Sequence, residues 1–152
     1  MILSDNMDPC LQVRQAIIIH LRGLVGGFAR PSPPTQIRAI LDSSGEPKDA
    51  CGVIVACENL GDHNGQNTGG VLIDVQPRII VFSHLNEDPD GVVCNAIVSD
   101  IRNAINSITY TLDGWKVAWY GNWRTGEASM DGSYRQVELS ATLPLVKIQY
   151  RN

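Results

Sequence analysis

The sequence has no block of lysine and arginine. Its 12 basic residues are scattered among 16 acidic ones, giving a net charge of −4 and a pI of about 5.2. Nothing here suggests binding driven by nucleic-acid phosphates, short of a basic patch assembled by folding. There is also no apolar run near the ~20 residues that a membrane-spanning helix requires. The run Ala16–Leu21 is short and contains His20. The opening "MILSDNMDPC" lacks the basic start and apolar stretch of a signal peptide, so a cytosolic product is the expectation.

Motifs are missing as well. The four cysteines, Cys10, Cys51, Cys57 and Cys94, form no CxxC pair and stand at no zinc-finger spacing to a histidine. In a cytosolic chain they read as reduced, partly buried small apolar groups. There is no GxxxxGK[ST] loop for phosphate, no GxSxG elbow and no Cys/His signature of nucleophilic catalysis. Carboxylates are present, but nothing pairs them for glycosidase-like acid–base work. The expectation is a protein that is not an enzyme and carries no cofactor and no metal.

What is present is ordinary globular material. The chain has 152 residues, 43% apolar and 18% charged, enough for one domain with a real core. A helix is predicted over 9–25. Asp8 can cap it, Pro9 fits its first turn, and Cys10, Val13, Ile17, Leu21 and Leu24 recur at helical steps before Gly26-Gly27 stops it. Ile18 and Ile19 widen the apolar stripe. "ARPSPPTQ" makes 29–36 a stiff, extended, proline-rich connection. A strand hairpin follows over 52–83, with "CGVIVACENL" and "VLIDVQPRIIVF" as its arms. Asp74 and Gln76 are expected on the polar side, and Pro77 is expected to mark a bulge or an edge. A second helix over 90–108, capped by Asp88 or Asp90, carries the stripe Val93, Ile97, Ile101, Ile105 and Ile108. A second hairpin over 114–150 closes the chain around a polar loop, "RTGEASMDGS". The economical arrangement is α+β: a mainly antiparallel sheet of about four strands with two helices packed on one face.

The stretch "ENLGDHNGQNTGG", Glu58–Gly70, looks like chemistry. Asp62 and His63 are adjacent, however, so an extended chain points them apart, and no second His or Cys lies near in sequence. Its Gly and Asn residues suit a mobile hairpin loop. His20 reads as a packed or half-exposed helix residue. His84, beside Asn86-Glu87-Asp88, reads as the end of a strand running into a solvated turn and a helix cap. Trp115, Trp119 and Trp123 read as a sheet stripe belonging mainly to the core, with Trp123, next to Arg124, moved to a protein interface. The residues expected to meet a neighbouring subunit or partner are His63, Asn64, Gln66, Asn67, Trp123 and Arg124.

The order of "LQVRQAIIIHLRGL", a strand into a polar hairpin, "IDVQPRIIVF", "VVCNAIVSDIRNAI", a Trp-bearing strand and "YRQVELSATLPLVKI" resembles the tail-terminator (tail-completion) proteins of long-tailed bacteriophages and prophages. The resemblance spans roughly residues 9–150. Arg135, Val137, Leu139 and Ala141 match the arginine and alternating apolar residues of that family's closing strand. The resemblance implies an α+β subunit of a ring, commonly a hexamer, that caps the tail tube and joins it to the head. Its partners would be further copies of itself, the tail tube protein and a head-completion or connector protein. It would sit in the bacterial cytoplasm during assembly and in the virion tail afterwards. The proline-rich 29–36 is longer than the family pattern. Two other readings compete: a head–tail connector or neck protein, and a small metal-dependent enzyme using Asp62, His63, His84 and Asp88.

Overall fold

The structure, a computed structural model, describes residues 8–23, 37–39 and 51–148. The proline-rich connection over 29–36 lies outside them, as do the ends of the first predicted helix and of the closing strand. Helix α1 (Pro9–Gly23) starts where Asp8 accepts the Cys10 N–H at 2.9 Å. It is followed by β1 (Ile37–Ala39), β2 (Cys51–Asp62) and, after a single 3-10 turn at His63–Gly65, β3 (Leu72–His84). Helix α2 (Val92–Ile105) comes next. Then come β4 (Trp115–Val117), β5 (Arg124–Thr125), β6 (Ser129–Asp131), β7 (Tyr134–Ser140) and β8 (Leu143–Lys147).

The architecture is α+β, with antiparallel pairing throughout except that β1 lies parallel to β2. The sheet exceeds the expected four strands: among the described residues it has eight. The excess comes from short pieces. The polar loop of the closing hairpin contributes β5 and β6 along β7, and the expected closing strand divides into β7 and β8, of which β8 pairs with β4. Runs of two or three residues leave almost no periodic signal.

One face of the sheet makes the core. Val53 and Val55 stand opposite Val81 and Ile79, which stand opposite Val137 and Leu139; Val75 and Ile73 stand opposite Leu143 and Leu145. These side chains share a face by strand parity. They form one buried cluster with Val13, Ile17, Ile18 and Leu21 of α1 and Cys94, Ile97, Val98, Ile101 and Ile105 of α2. Ile19, included in the predicted stripe, is 69% exposed.

Pro77 marks neither a bulge nor an edge. It lies inside β3, the strand flanked by β2 on one side and β7 and β8 on the other. Its carbonyl accepts the Ala141 N–H at 3.2 Å, so its missing N–H also faces that side. There the ladder parts into β7 and β8, while the register is unchanged: Arg78 faces Ser140 and Val75 faces Leu143. The bulge is on β2, between Asn59 and Gly61, and it turns Leu60 outward.

Polar side chains tie the helices to the sheet. Buried Arg14 of α1 donates from Nε to the Val55 carbonyl of β2 at 3.0 Å. Buried Gln12 grips the backbone of Asp113, taking its N–H at 2.5 Å and donating to its carbonyl at 3.1 Å. His20 donates from Nε2 to the Ala104 carbonyl of α2 at 3.1 Å, the packed helix role expected of it.

Candidate functional site

The β2–β3 connection is a hairpin loop, as expected, and two carboxylates at its base gather it in. Asp62 Oδ1 accepts the Gly70 N–H at 3.2 Å and lies 3.0 Å from the Thr68 hydroxyl. That hydroxyl also lies 2.9 Å from the Leu72 carbonyl, so its single hydrogen serves one acceptor at a time. Asp74, expected on the wet side of β3, is buried. Its carboxylate takes His63 Nδ1–H at 2.7 Å on one oxygen and the Asn64 N–H at 3.2 Å on the other. Because the carboxylate can only accept, Nδ1 carries the proton. The Asn64 amide then donates to Nε2 at 2.9 Å. Asn64 holds a φ of 51°, a left-handed conformation that asparagine tolerates better than most residues. The edge of the Trp119 ring meets the His63 imidazole with centroids 5.0 Å apart.

Both ring nitrogens of His63 are therefore engaged within its own loop. His84 and Asp88 lie at the far end of β3, roughly 30 Å away at the rise of an antiparallel strand. His84 accepts the Asn86 N–H at 3.1 Å and packs edge-on against Tyr134. Gly91 holds the N-cap position of α2, and the Asp88 side chain reaches in from three residues earlier: its two oxygens accept the Val93 N–H at 3.1 Å and the Cys94 N–H at 3.0 Å. Burial works against its charge. The Cys94 and Val93 N–H groups, with Ser83 and Arg135 close by, outweigh that and hold the carboxyl below the usual carboxylate range. Asp62, His63, His84 and Asp88 thus do not converge. Among the described residues no group of three or more His, Cys, Asp or Glu side chains is placed to hold a metal ion.

The expected interface residues fall into two places. His63 and Asn64 belong to the Asp74 cluster. Exposed Gln66 and Asn67 lie beyond it on the loop, where Asn67 Oδ1 accepts the Gly69 N–H at 3.2 Å. Trp123 and Arg124 sit at the edge of the sheet and line two separate clefts that share Asn122. Trp123 and Asn122 face Ser99, Arg102, Asn103 and Ile105 of α2, and Asn106 just past its end, across a cleft of about 460 Å³. Arg124 and Asn122 line the second, about 420 Å³, with Gln76 of β3 and the Ser140–Thr142 break between β7 and β8.

The tryptophans do not share one role. Trp115 and Trp123 are half-buried against the core. Strand β4 ends at Val117, and beyond it Trp119 is 51% exposed and Tyr120 63% exposed, with Tyr120 stacked on Tyr110 at 6.0 Å. Burial, then the neighbouring Tyr120 and Cys57, push the Tyr110 phenol upward from its ordinary value. The stripe assigned mainly to the core therefore opens at Trp119, the most exposed of the three. Sequence spacing missed this because parity holds only while the strand lasts. It also missed Asp74, whose polarity argued for the surface before its partners across the hairpin were known.

The chain matches no protein-family model, and no curated protein is significantly similar to it in sequence. Among the described residues, no helix is long and apolar enough to cross a membrane.

Proposed function

We propose that this protein is a structural ring subunit of the tail-terminator kind, which caps a phage or prophage tail tube and presents a surface for joining it to the head. The observation that carries the reading is the segment Trp119–Arg124. It turns Trp119 and Tyr120 outward and bounds the clefts at Trp123 and Arg124. Aromatic residues and arginine set beside concave polar surface are what a protein interface selects. A ring needs two different patches, one on each side of the subunit, closed by rotation. The segment and its clefts supply one. The exposed Asn64–Asn67 tip, projected on a loop that Asp62 and Asp74 hold together, adjoins that patch where His63 meets Trp119 and extends it. The resemblance in element order and in the closing strand supports the same assignment, with the tail tube protein and a head-completion or connector protein as partners. On this reading the protein works in the bacterial cytoplasm during assembly and remains in the virion tail.

Size-exclusion chromatography with light scattering, followed by negative-stain microscopy, tests the proposal. A discrete or concentration-dependent ring is expected, together with cosedimentation on polymerised tube protein. A chain that stays monomeric at high concentration and never binds tube protein overturns it.

A further inference from the structure

Charge is divided unevenly between the two ends of strand β7. At its Ser140 end lie Arg124, paired with Ser140, and the two clefts. Arg102 lines one cleft and Arg124 the other, and among the described residues no aspartate or glutamate lines either. Around the two guanidinium groups stand the carboxamides of Asn103, Asn122 and Gln76 and the hydroxyls of Ser99 and Ser140, all able to donate to an anion. At the Tyr134 end, His84 stands opposite Tyr134, and the Leu85 N–H donates to the Ser133 carbonyl at 2.9 Å. The turn that follows presents exposed Glu87 and Asp90, and exposed Asp131 lies opposite Tyr134 on the other side. Among the described residues Arg102, Arg124, Glu87 and Asp90 form no ion pair.

These two ends are too far apart to meet within one chain. Tyr134 to Ser140 spans about 20 Å of strand, and Val92, just past Asp90, to Arg102 spans about 15 Å of helix. The acidic turn is also held in place. The Glu87 and Asp88 N–H groups both reach the His84 carbonyl, at 3.1 and 2.9 Å. The Asp88 carboxylate is committed to the start of α2, and Arg135 to the Pro89 carbonyl. The turn therefore has little left to order on binding. We infer, on the ring reading above, that the arginine clefts of one subunit receive the Glu87–Asp90 turn of a second copy. This is the different, complementary patch that a ring requires, because each subunit carries both halves at opposite ends. Guanidinium and carboxylate pair through charge-assisted hydrogen bonds, and such pairs fix register and partner choice.

Light scattering on the full chain, with the charges reversed at one end or at both, tests the contact. Arg102→Glu with Arg124→Glu, and separately Glu87→Arg with Asp90→Arg, should each reduce the assembled fraction about tenfold or more by setting like charges together. A chain carrying all four changes should assemble again, and an equimolar mixture of the two double variants should form mixed oligomers. Each double variant should melt within about 2 °C of the unaltered chain, because all four side chains are exposed. Where a reversal shifts melting further, the neutral pair Arg102→Gln and Arg124→Gln, or Glu87→Gln and Asp90→Asn, is read in its place, with a smaller loss of assembly expected. Rings that ignore either change, or a loss that neither the fourfold chain nor the mixture recovers, would overturn the inference and leave the ring reading standing. An unaltered chain that never assembles would overturn both.

Discussion

Asp74 and Asp88 are both buried carboxylates, and each accepts two N–H donors. Asp74 serves His63 and the Asn64 N–H at the loop end of β3, and Asp88 serves two N–H groups at the start of α2. Asp74→Ala leaves the His63 and Asn64 donors without their acceptor. It should lower stability by about 1–3 kcal/mol in urea unfolding and raise amide exchange at Asn64. Asp88 adds a pH dependence. Its folded value lies below the unfolded one, near 3.8, so its contribution is fully present above that pH and is lost as pH falls through the folded value. Asp88→Asn should therefore melt below the unaltered protein at pH 7, by about 1 kcal/mol. The gap should stay constant down to about pH 5 and close below about pH 4; a gap that stays level to pH 2 would contradict the assignment.

At the scale of elements, the start of α2 shows how a strand fixes a helix. Arg135 of β7 donates from Nη2 to the Pro89 carbonyl at 2.9 Å and lies over Gly91, the residue immediately before the helix. Gly91 has a φ of 74°, and a Cβ there would fall 1.7 Å from Arg135 Nη1. Gly91→Ala should cost about 1–3 kcal/mol from backbone strain and displacement of the guanidinium. Gly132→Ala, at a φ of 60° with nothing within 4 Å, should carry the backbone cost alone. Equal losses for the two in chemical denaturation would show that the Arg135 contact contributes nothing. The helix itself was legible from Ile97, Ile101 and Ile105, and Asp88 was one of its two expected caps. The arginine was legible only as part of a pattern. That it reaches the helix start depends on β7 lying beside β3, which no local spacing encodes.

At the scale of the whole molecule, the helices and the core face of the sheet use up most of the apolar side chains, and the outward-facing remainder is uneven. Trp119 and Tyr120 stand out beside two clefts, whereas Arg78 and Glu138, on the sheet face away from the helices, form a half-exposed ion pair that contributes little to stability. If the 119–124 segment is a subunit contact, Trp119→Ala and Arg124→Glu should reduce the fraction assembled about tenfold or more in light scattering. The isolated chain's melting temperature should move by no more than about 2 °C, because both residues lie off the core. A matching fall in melting temperature would assign them to folding instead.

The sequence by itself determined the two helices, the two long strands of the central hairpin, the turn-forming loop and the apolar positions that build the core. Each follows from a repeat of 3.6 or 2 within a dozen neighbouring residues. Tertiary structure alone decided that Pro77 sits in a central strand, that Asp74 is buried and that Trp119 is the most exposed of the three tryptophans. These outcomes depend on which strand lies beside which, and pairing across many residues is fixed by the packing of the whole sheet against its helices.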